Sequence, residues 1–303
     1  MEAEISVITI NYNGLEDTCA LIETIPISNG VEVIVVDNAS QNDEASIIAQ
    51  RYPQVRVIRS EKNLGFAGGN NLGIQAAHGR YLFFVNNDTV FIGSVEEKLA
   101  SFNQLVDRLE SDSKIGLVCP KIRFFWGHQH IQYAGYTPLS PITLRNRSIG
   151  FNEEDCGQFE VAHPTPYAHG AAMMVKREVV ERAGMMPECY FLYYEELDWS
   201  MMIRRAGYQL WYDPCSTIYH KESQSTGQNS PLRTYYITRN RLLFAQRNID
   251  SLKKYLSYCY LIVLVGTRDV LKYSFKRERK LAGATIRGII DFLKQSNKYT
   301  RML

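Results

Sequence analysis

The chain has 303 residues, of which 45% are apolar, and this is enough to build a buried core and to exclude a disordered protein. Its six cysteines are dispersed, with no C-x-x-C pair, so a zinc-thiolate site and a disulfide framework are both disfavoured. The formal net charge of +2 is unevenly distributed, because residues 233–303 hold 16 Lys and Arg against 4 Asp and Glu.

The start of the chain, MEAEISVITI, carries two glutamates and only a strand-length apolar stretch, whereas a secretory signal has basic residues and a longer apolar core. The longest uncharged apolar run, Tyr255–Thr267, is shorter than the ~20 residues of a membrane-spanning helix. We therefore predict a cytoplasmic protein without a transmembrane helix. Its basic end would favour an anionic membrane surface or an anionic partner, and a solvated helical face explains it equally well.

Short β-branched or aromatic segments alternate with helix-like segments in the first 90 residues. The predicted strands are Ile5–Ile10, Val31–Val36, Val55–Ile58 and Tyr81–Val85. The segments LEDTCALIETI, NDEASIIAQRY and GGNNLGIQAAHG between them have helical patterns. Because such alternation produces a sheet covered by helices on both faces, we predict an α/β fold with a mostly parallel central sheet.

Each predicted strand is followed by short polar residues. These are Asn11 and Asn13 after the first strand, Asp37 and Asn38 after the second, the segment EKNLG ending at Gly65 after the third, and Asn86-Asn87-Asp88 after the fourth. One polar strand end is ordinary turn chemistry. Ligands of such sheets bind beyond the carboxyl ends of the strands, so four polar ends together predict a ligand site at that edge.

The segment NLGFAGGNNLG, Asn63–Gly73, is rich in glycine. It matches neither G-x-G-x-x-G nor the P-loop pattern, which disfavours dinucleotide dehydrogenases and P-loop enzymes. Gly68 and Gly69 are predicted where a helix begins. They would either let backbone amides approach a ligand or let the helix pack closely on the sheet.

Asn86-Asn87-Asp88 places one carboxylate between amides at a strand end. This pattern suits a hard divalent cation that takes its other ligands from water and a diphosphate, whereas an all-protein cage would need more carboxylates. We therefore predict a divalent-cation site at Asp88.

The segment YYEELDW, Tyr193–Trp199, collects Glu195, Glu196 and Asp198 before a helical pattern. Acidic residues in a first helical turn are common, but three of them after an aromatic run exceed what a cap requires. One could be a general base whose pKa is raised by its surroundings. His220, at another predicted strand end, is either structural or a metal ligand.

Residues 115–214 repeat the strand–helix pattern around an irregular stretch, residues 124–166, that is predicted to face substrate or to contain small strands. The chain after Pro231 has a helical pattern. We therefore predict one domain over residues 1–230, with halves 1–114 and 115–230, and a helical basic extension over residues 231–303.

Five segments in order and spacing resemble the family 2 inverting glycosyltransferases, in particular their rhamnosyltransferase-like branch. They are VITINYNG, VIVVDNAS, NLGFAGGNNLGIQAAHGRYLFFVNNDT, GAAMMVKREVVERAGMMPECYFLYYEELDWSMMIRRAG and IYHKES, and the resemblance covers about residues 4–245. It implies a nucleotide-sugar-binding domain of the GT-A type over residues 1–230, with a nucleotide-binding first half and an acceptor-side second half.

The resemblance also implies residue roles. Asp37 would hold the pyrimidine base, and the other nucleotide-binding positions would be Asn11, Asn13, Asn38, Gly65, Asn71, Asn86 and Asn87. Asp88 would hold Mg²⁺ or Mn²⁺, with His220 near the metal. The family's Asp-x-Asp begins with Asn86 here, and its Glu-Asp pair is Glu195-Glu196, so Glu196 is the first choice of base and Asp198 the reserve. The acceptor-side positions would be Trp199, His169 and Gly170.

The implied reaction is one displacement with inversion, in which Glu196 takes the proton of an acceptor hydroxyl. L-rhamnose from dTDP-rhamnose is the preferred donor, UDP-sugars remain open, and the acceptor would be a glycan, lipid-linked in some members, in cell-surface polysaccharide synthesis. No nucleic-acid partner is predicted. A nucleotidyltransferase would need a glycine-rich loop with a basic residue after the first strand, which NYNGLEDT lacks. A catalytically silent nucleotide-sugar or glycan-binding partner of another transferase remains the alternative.

Overall fold

The computed structural model describes residues 4–28, 30–127, 129–221 and 230–299, and their side chains except those of residues 251 and 295–299. Glu222 and Ser223 of the IYHKES motif lie outside the described residues. The chain divides into two compact units. The first comprises residues 1–137, 147–188 and 199–222, and the second comprises residues 138–146, 189–198 and 223–303.

The first unit contains one sheet in the order β3-β2-β1-β4-β9-β6-β10-β5, with β7 paired to β6 and β8 to β10. Its strands are β1 (Ile5–Asn11), β2 (Val31–Asp37), β3 (Arg56–Arg59), β4 (Tyr81–Val85), β5 (Thr89–Val90), β6 (Ile115–Phe124), β7 (Ile131–Tyr133), β8 (His163–Pro164), β9 (Ala172–Lys176) and β10 (Gln209–His220). Its helices are α1 (Leu15–Thr24), α2 (Glu44–Arg51), α3 (Gly65–Ala76), α4 (Val95–Glu110) and α5 (Arg177–Ala183).

The α/β class is confirmed, but the sheet is mixed rather than mostly parallel. The pairs β1–β2, β2–β3, β1–β4 and β6–β10 are parallel. Strand β9 runs antiparallel to both β4 and β6, because it follows the irregular stretch and not a crossover helix, which is what a parallel connection needs. In the parallel half, Asn11 pairs with Asp37 and Asp37 with Arg59, so the carboxyl ends of β1, β2 and β3 are level.

Helix α3 packs on β1 at glycine positions. A Cβ on Gly73 would lie 2.3 Å from Cγ2 of Ile8, and one on Gly69 would lie 2.9 Å from Cδ1 of Ile10. The helix begins at Gly65, three residues before the predicted Gly68. Gly69 and Gly73 therefore serve close packing of helix on sheet, which for Gly69 is the second of the two interpretations that the sequence allowed, whereas a Cβ on Gly68 would meet Leu64 before the helix.

The irregular stretch contains the short strands β7 and β8. An ionic cluster ties it to β6, in which the ammonium of the buried Lys121 lies 2.9 Å from Oδ2 of Asp155. Arg123 also donates to Asp155. Burial alone would raise the pKa of Asp155, but the hydrogen bonds from Arg123 and Lys121 outweigh it and lower that pKa to about 2.

The second unit is built mainly from α7 (Pro231–Asn248), α8 (Ser251–Cys259), a π-helical segment (Tyr260–Gly266), α9 (Thr267–Phe275) and α10 (Arg279–Tyr299). The helical extension is thereby confirmed. Helix α6 (Glu195–Arg205) starts in the second unit and passes into the first at Trp199. Among the residues that the structure describes, no helix is long and apolar enough to cross a membrane.

Candidate functional site

A chain of hydrogen bonds joins the ends of β1, β2 and β4 in the first unit. The amide nitrogen of Asn11 donates to Oδ1 of Asp37 over 2.9 Å, and its oxygen accepts from the Thr18 hydroxyl over 2.7 Å. The Thr18 hydroxyl accepts in turn from the Asn87 amide over 3.0 Å. The polar strand ends therefore do meet, and the residue after Asn87 is Asp88.

Asp37 is fully buried, and its second oxygen, Oδ2, has no hydrogen-bond partner among the described residues. A buried carboxylate oxygen without a partner costs free energy. Here it is held in place by Asn11, whose amide also binds Oε2 of Glu44 over 2.8 Å. The arrangement leaves one buried acceptor at the end of β2 without a partner among the described residues.

Three other predicted nucleotide-binding residues shape the loops around this edge. The Asn13 backbone N–H donates to the Ser40 hydroxyl over 2.9 Å. The Asn38 amide donates to the carbonyl of Gly65 over 3.0 Å, and Gly65 has a φ of 72°, a left-handed conformation that glycine adopts without strain. Asn38 therefore fixes the turn that starts α3.

Asn71 is engaged by a distant segment of the first unit. Its amide donates to the carbonyl of Met186 over 2.9 Å and to Glu188 over 2.8 Å, and its oxygen accepts from the Met186 N–H. Because the Asn71 side chain is already hydrogen-bonded to Met186 and Glu188, its position gives no support to the predicted contact with a nucleotide. Asn86 is held through its backbone, whose N–H donates to the carbonyl of Ala171 over 2.9 Å.

Asp88 and His220 come together although they are 132 residues apart. Both are largely buried, and Nε2 of His220 lies 3.1 Å from Oδ1 of Asp88. Nδ1 of His220 lies 2.8 Å from Oε1 of Gln132. Nδ1 can donate to that amide oxygen, and Nε2 faces the Asp88 carboxylate.

The pair fits a divalent cation as far as its donor set goes. One carboxylate oxygen and one imidazole nitrogen are suitable ligands, and an outer hydrogen bond such as that to Gln132 orients a ligating histidine. Within the described ranges, no group of three His, Cys, Asp or Glu side chains forms a complete cage. The remaining ligands would come from a bound molecule and water.

The predicted acceptor-side residues divide into two groups. His169 and Gly170 lie just before β9, separated from it by Ala171, and the His169 ring stacks on that of Tyr136 with centroids 6.0 Å apart. Burial, together with the nearby His220, lowers the pKa of His169 to about 3. Trp199 is fully buried and donates to the Gly184 carbonyl over 2.9 Å, so its predicted contact with an acceptor gains no support from its position.

In the second unit, the loop before the predicted base is conformationally strained. Phe191, Tyr193 and Tyr194 have φ values of 68°, 67° and 79°, which cost non-glycine residues of the order of 1–3 kcal/mol each. The amide of Asn240 in α7 donates to the carbonyls at positions 190, 192 and 193 over 3.0, 2.7 and 2.9 Å. Arg239 adds a bond to the 190 carbonyl and accordingly helps to fix the loop.

The loop delivers Glu195 and Glu196 to the start of α6. Burial and the charge of Glu196 raise the pKa of Glu195 well above its usual value, and burial also raises that of Glu196. Oε2 of Glu195 is buried and has no partner within the described part of the chain. Two adjacent carboxyl groups with raised pKa values are what a general base requires.

Asp198 differs from its two acidic neighbours. It is fully buried, its Oδ2 lies 2.5 Å from Nε of Arg247, and its Oδ1 accepts from the Asn248 amide over 2.8 Å. Both oxygens are therefore engaged by α7. The reserve role as base gains no support, and the contacts indicate a structural carboxylate that anchors the start of α6.

Several contributing residues were missed by the sequence analysis. They are Thr18, Ser40 and Glu44 in the first unit, Gln132 behind His220, and Arg239, Asn240, Arg247 and Asn248 on α7. The sequence does contain one signal for the last group, since the dipeptide Arg-Asn occurs twice in α7, eight residues apart. Arg239, Asn240 and Asn248 are buried, and buried arginine and asparagine are unusual in a helix unless they bind a neighbour.

Comparison with known proteins adds a family match. Residues 6–184 match the family model described as Glycosyl transferase family 2. The low-salt glycan biosynthesis hexosyltransferase Agl10 of Haloferax volcanii is 25% identical over 292 residues, which cover 95% of this chain and 90% of that protein. The N-acetylglucosaminyl-diphospho-decaprenol L-rhamnosyltransferase of Mycobacterium tuberculosis is 24% identical over 221 residues, 66% of this chain and 69% of that protein.

Among solved structures, the mannosyltransferase PcManGT from Pyrobaculum calidifontis, in complex with GDP-Man and Mn²⁺, is similar with a TM-score of 0.57. The match covers 97% of this chain and 88% of that one at 15% sequence identity. This likeness concerns the fold and confirms the predicted GT-A type.

Proposed function

The chain belongs to glycosyl transferase family 2, and on that premise we propose that it is a metal-dependent inverting glycosyltransferase that moves a sugar from a nucleotide diphosphate to a glycan hydroxyl. One observation carries the proposal. The hydrogen-bond chain through Asn11, Thr18 and Asn87 starts at Asp37, whose Oδ2 has no partner among the described residues, and ends next to Asp88, which pairs with His220. A base-binding acceptor and a cation-binding pair so connected suit a nucleoside diphosphate.

The donor nucleotide would be held at the carboxyl edge of β1, β2 and β4. Asp37 would accept from the N–H of a pyrimidine base, supported by Asn11. The loops fixed by Asn13 and Asn38 would enclose the nucleoside.

Asp88 and His220 would hold Mg²⁺ or Mn²⁺. When bound, such an ion supplies positive charge that stabilises the departing nucleoside diphosphate. The chain's own contribution is orientation, since the hydrogen bond between Nδ1 of His220 and Gln132 would hold the ring with Nε2 beside the Asp88 carboxylate, where both could reach one ion.

Glu196 would act as the general base. It would take the proton of the acceptor hydroxyl while that oxygen forms a bond to the anomeric carbon and the bond to the diphosphate oxygen breaks. A single displacement of this kind inverts the anomeric configuration. The raised pKa of Glu196 brings the carboxylate closer in basicity to neutral pH, which favours this role.

The donor sugar is proposed to be L-rhamnose carried by dTDP, with UDP-sugars as the next candidates. The rhamnosyltransferase from M. tuberculosis supports this choice by its name and its 24% identity. The same name contains a diphospho-decaprenol acceptor, which supports a lipid-linked glycan as acceptor here, at the cytoplasmic side of a membrane.

The first experiment is a nucleotide-release assay with purified protein and Mg²⁺ or Mn²⁺ across dTDP- and UDP-sugars. We expect slow metal-dependent hydrolysis of one donor, which Asp88→Ala abolishes and the exposed-site control Ile47→Ala in α2 leaves unchanged. Donor binding by calorimetry without turnover, with or without a glycan acceptor, would favour the silent binding partner. If no donor in the panel binds and none is turned over, the result contradicts the proposal.

A further inference from the structure

The helix formed by α8, the π-helical segment and α9 leaves large apolar side chains exposed along one side. Their exposed fractions range from 45% to 86%. We call this set the apolar stripe, and it consists of Leu252, Tyr255, Leu256, Val263, Leu264, Leu271 and Phe275.

The stripe occupies one face of a continuous helix. Backbone angles stay helical through Cys259 and Gly266, where the segments join. In an α-helix at about 100° per residue, Phe275 would lie about 140° around the axis from Leu252. The wider turns of the π-helical segment offset that rotation and keep both ends of the stripe on one side.

The opposite face of this helix is covered within the second unit. Ser257, Leu261 and Val265 are buried. A Cβ on Gly266 would lie 2.8 Å from Cδ1 of Ile289 in α10. One face of the helix therefore packs within the second unit, and the apolar stripe lies on the opposite, exposed face.

Positive charge accompanies the stripe. Residues 252–280 contain eight Lys and Arg and only two Asp and Glu. One of the two acids, Asp269, is already paired with Arg268 over 2.7 Å. Lys272, Lys276 and Arg277 lie beside Leu271 and Phe275 and are themselves exposed.

We propose that the apolar stripe and its flanking lysines and arginines dock the protein on an anionic lipid bilayer, with the helix lying in the interface. An exposed apolar face with Lys and Arg beside it and Tyr, Phe and Leu on it is the composition of such helices. Each cation near an anionic surface contributes about 1 kcal/mol of attraction. A second copy of the chain fits less well, since a two-fold contact would bring the two basic flanks together.

The test is flotation of the full-length protein with vesicles of phosphatidylcholine alone or mixed with phosphatidylglycerol. We expect binding to the mixed vesicles, weaker binding at high salt, and little binding to phosphatidylcholine. The double variant Leu271→Glu/Phe275→Glu should reduce partitioning at least ~100-fold, because two apolar side chains no longer bury. The double variant Lys272→Gln/Lys276→Gln should reduce it about thirtyfold.

The control is Val161→Glu, an equally drastic change at a side chain exposed by 75% in the first unit, which should bind vesicles like the wild type. If the double Glu variant loses thermal stability, the single change Phe275→Glu replaces it, since that side chain is 86% exposed.

Three results would overturn the proposal. The first is that the wild type does not float with anionic vesicles. The second is that the Val161→Glu control loses flotation as much as the stripe variant. The third is that light scattering shows a dimer that Leu271→Glu/Phe275→Glu dissociates, while the wild type binds no vesicles. The inference goes beyond the proposed function. Because the assay contains no nucleotide sugar, its failure would leave the transferase proposal standing.

Discussion

The strand-end cluster in the first unit and the 189–198 loop in the second present acidic groups by different means. In the cluster, regular strands end level with one another, and Asn11, Asp37 and Thr18 hold each other through side chains. In the loop, the backbone itself is strained at three aromatic residues and is held by donors from α7. The first site follows from sheet geometry, whereas the second depends on support from a distant helix.

Glu196→Gln should have the largest effect on the chemistry of the loop. The amide keeps the size of the side chain but cannot accept the hydroxyl proton, so turnover should fall ~10²–10⁴-fold while donor affinity changes little. The measurement is donor turnover together with calorimetric donor binding. Near-normal turnover would remove Glu196 as the base.

Asp198→Ala should destabilise the loop, because the Asp198 carboxylate has a structural role and not a chemical one. Removing this fully buried carboxylate leaves Arg247 and Asn248 without their partner. We expect a loss of about 3 kcal/mol in the free energy of unfolding, the lower end for a broken buried pair because Arg247 is partly exposed. Urea unfolding measures this.

The control for that change is Arg59→Ala in the first unit, whose pair with Asp43 is exposed on both sides. It should cost much less stability than Asp198→Ala, because water screens an exposed ion pair. Equal losses of unfolding free energy in Asp198→Ala and Arg59→Ala would mean that the buried contact between Asp198 and α7 stabilises the protein no more than an exposed ion pair does.

Asn240→Ala removes the donor to three loop carbonyls. We expect about 2 kcal/mol of lost stability, since buried acceptors lose their hydrogen bonds, and faster amide hydrogen exchange at residues 190–194. Asn240→Asp keeps the shape but lacks both donors, so it should be no better than alanine. If Asn240→Asp behaved like the wild type, the strained loop would not depend on these bonds.

The smallest effects should appear in the pH dependence of the free energy of unfolding. There Asp155 in the first unit and Glu195 in the second change stability in opposite directions as the pH rises. Asp155 has a lowered pKa of about 2 against 3.8, so its contribution of about 2 kcal/mol is present above pH ~4 and is lost as the pH falls towards 2. Glu195 has a raised pKa, so its contribution is present below 4.5 and is lost as the pH rises through the folded-state value.

Unfolding free energies of Asp155→Asn and Glu195→Gln, measured across pH, test both signs. Asp155→Asn should lack the fall in unfolding free energy at acid pH, and Glu195→Gln should lack the fall as the pH rises towards neutral. A Glu195→Gln profile that matches the wild type would contradict the raised pKa of Glu195.

The parallel half of the sheet and the polar strand ends could be predicted because they depend on local pattern. Buried β-branched runs form β1 and β2, and their level ends place Asn11 beside Asp37. The approach of His220 to Asp88 was suggested by the family resemblance and not by spacing, since 132 residues separate them.

Other features depend on tertiary contacts that no local pattern contains. The antiparallel placement of β9 follows from its pairing with β4 and β6. The bond of Asn71 to Met186 spans 115 residues. The left-handed backbone at Phe191 and Tyr193 was unpredictable, because aromatic residues carry no turn signal.

The attachment of the 189–194 loop to α7 constrains how this chain can diverge. Asn240 contacts loop carbonyls and not loop side chains, so this contact does not depend on which side chains the loop carries. The aromatic side chains have partners of their own on α7, since Phe191 stacks on Tyr236 and the Tyr194 hydroxyl accepts from Arg241. Homologous chains that exchange these helices by recombination should therefore remain compatible only where the amide and the partners of the aromatic side chains are retained together.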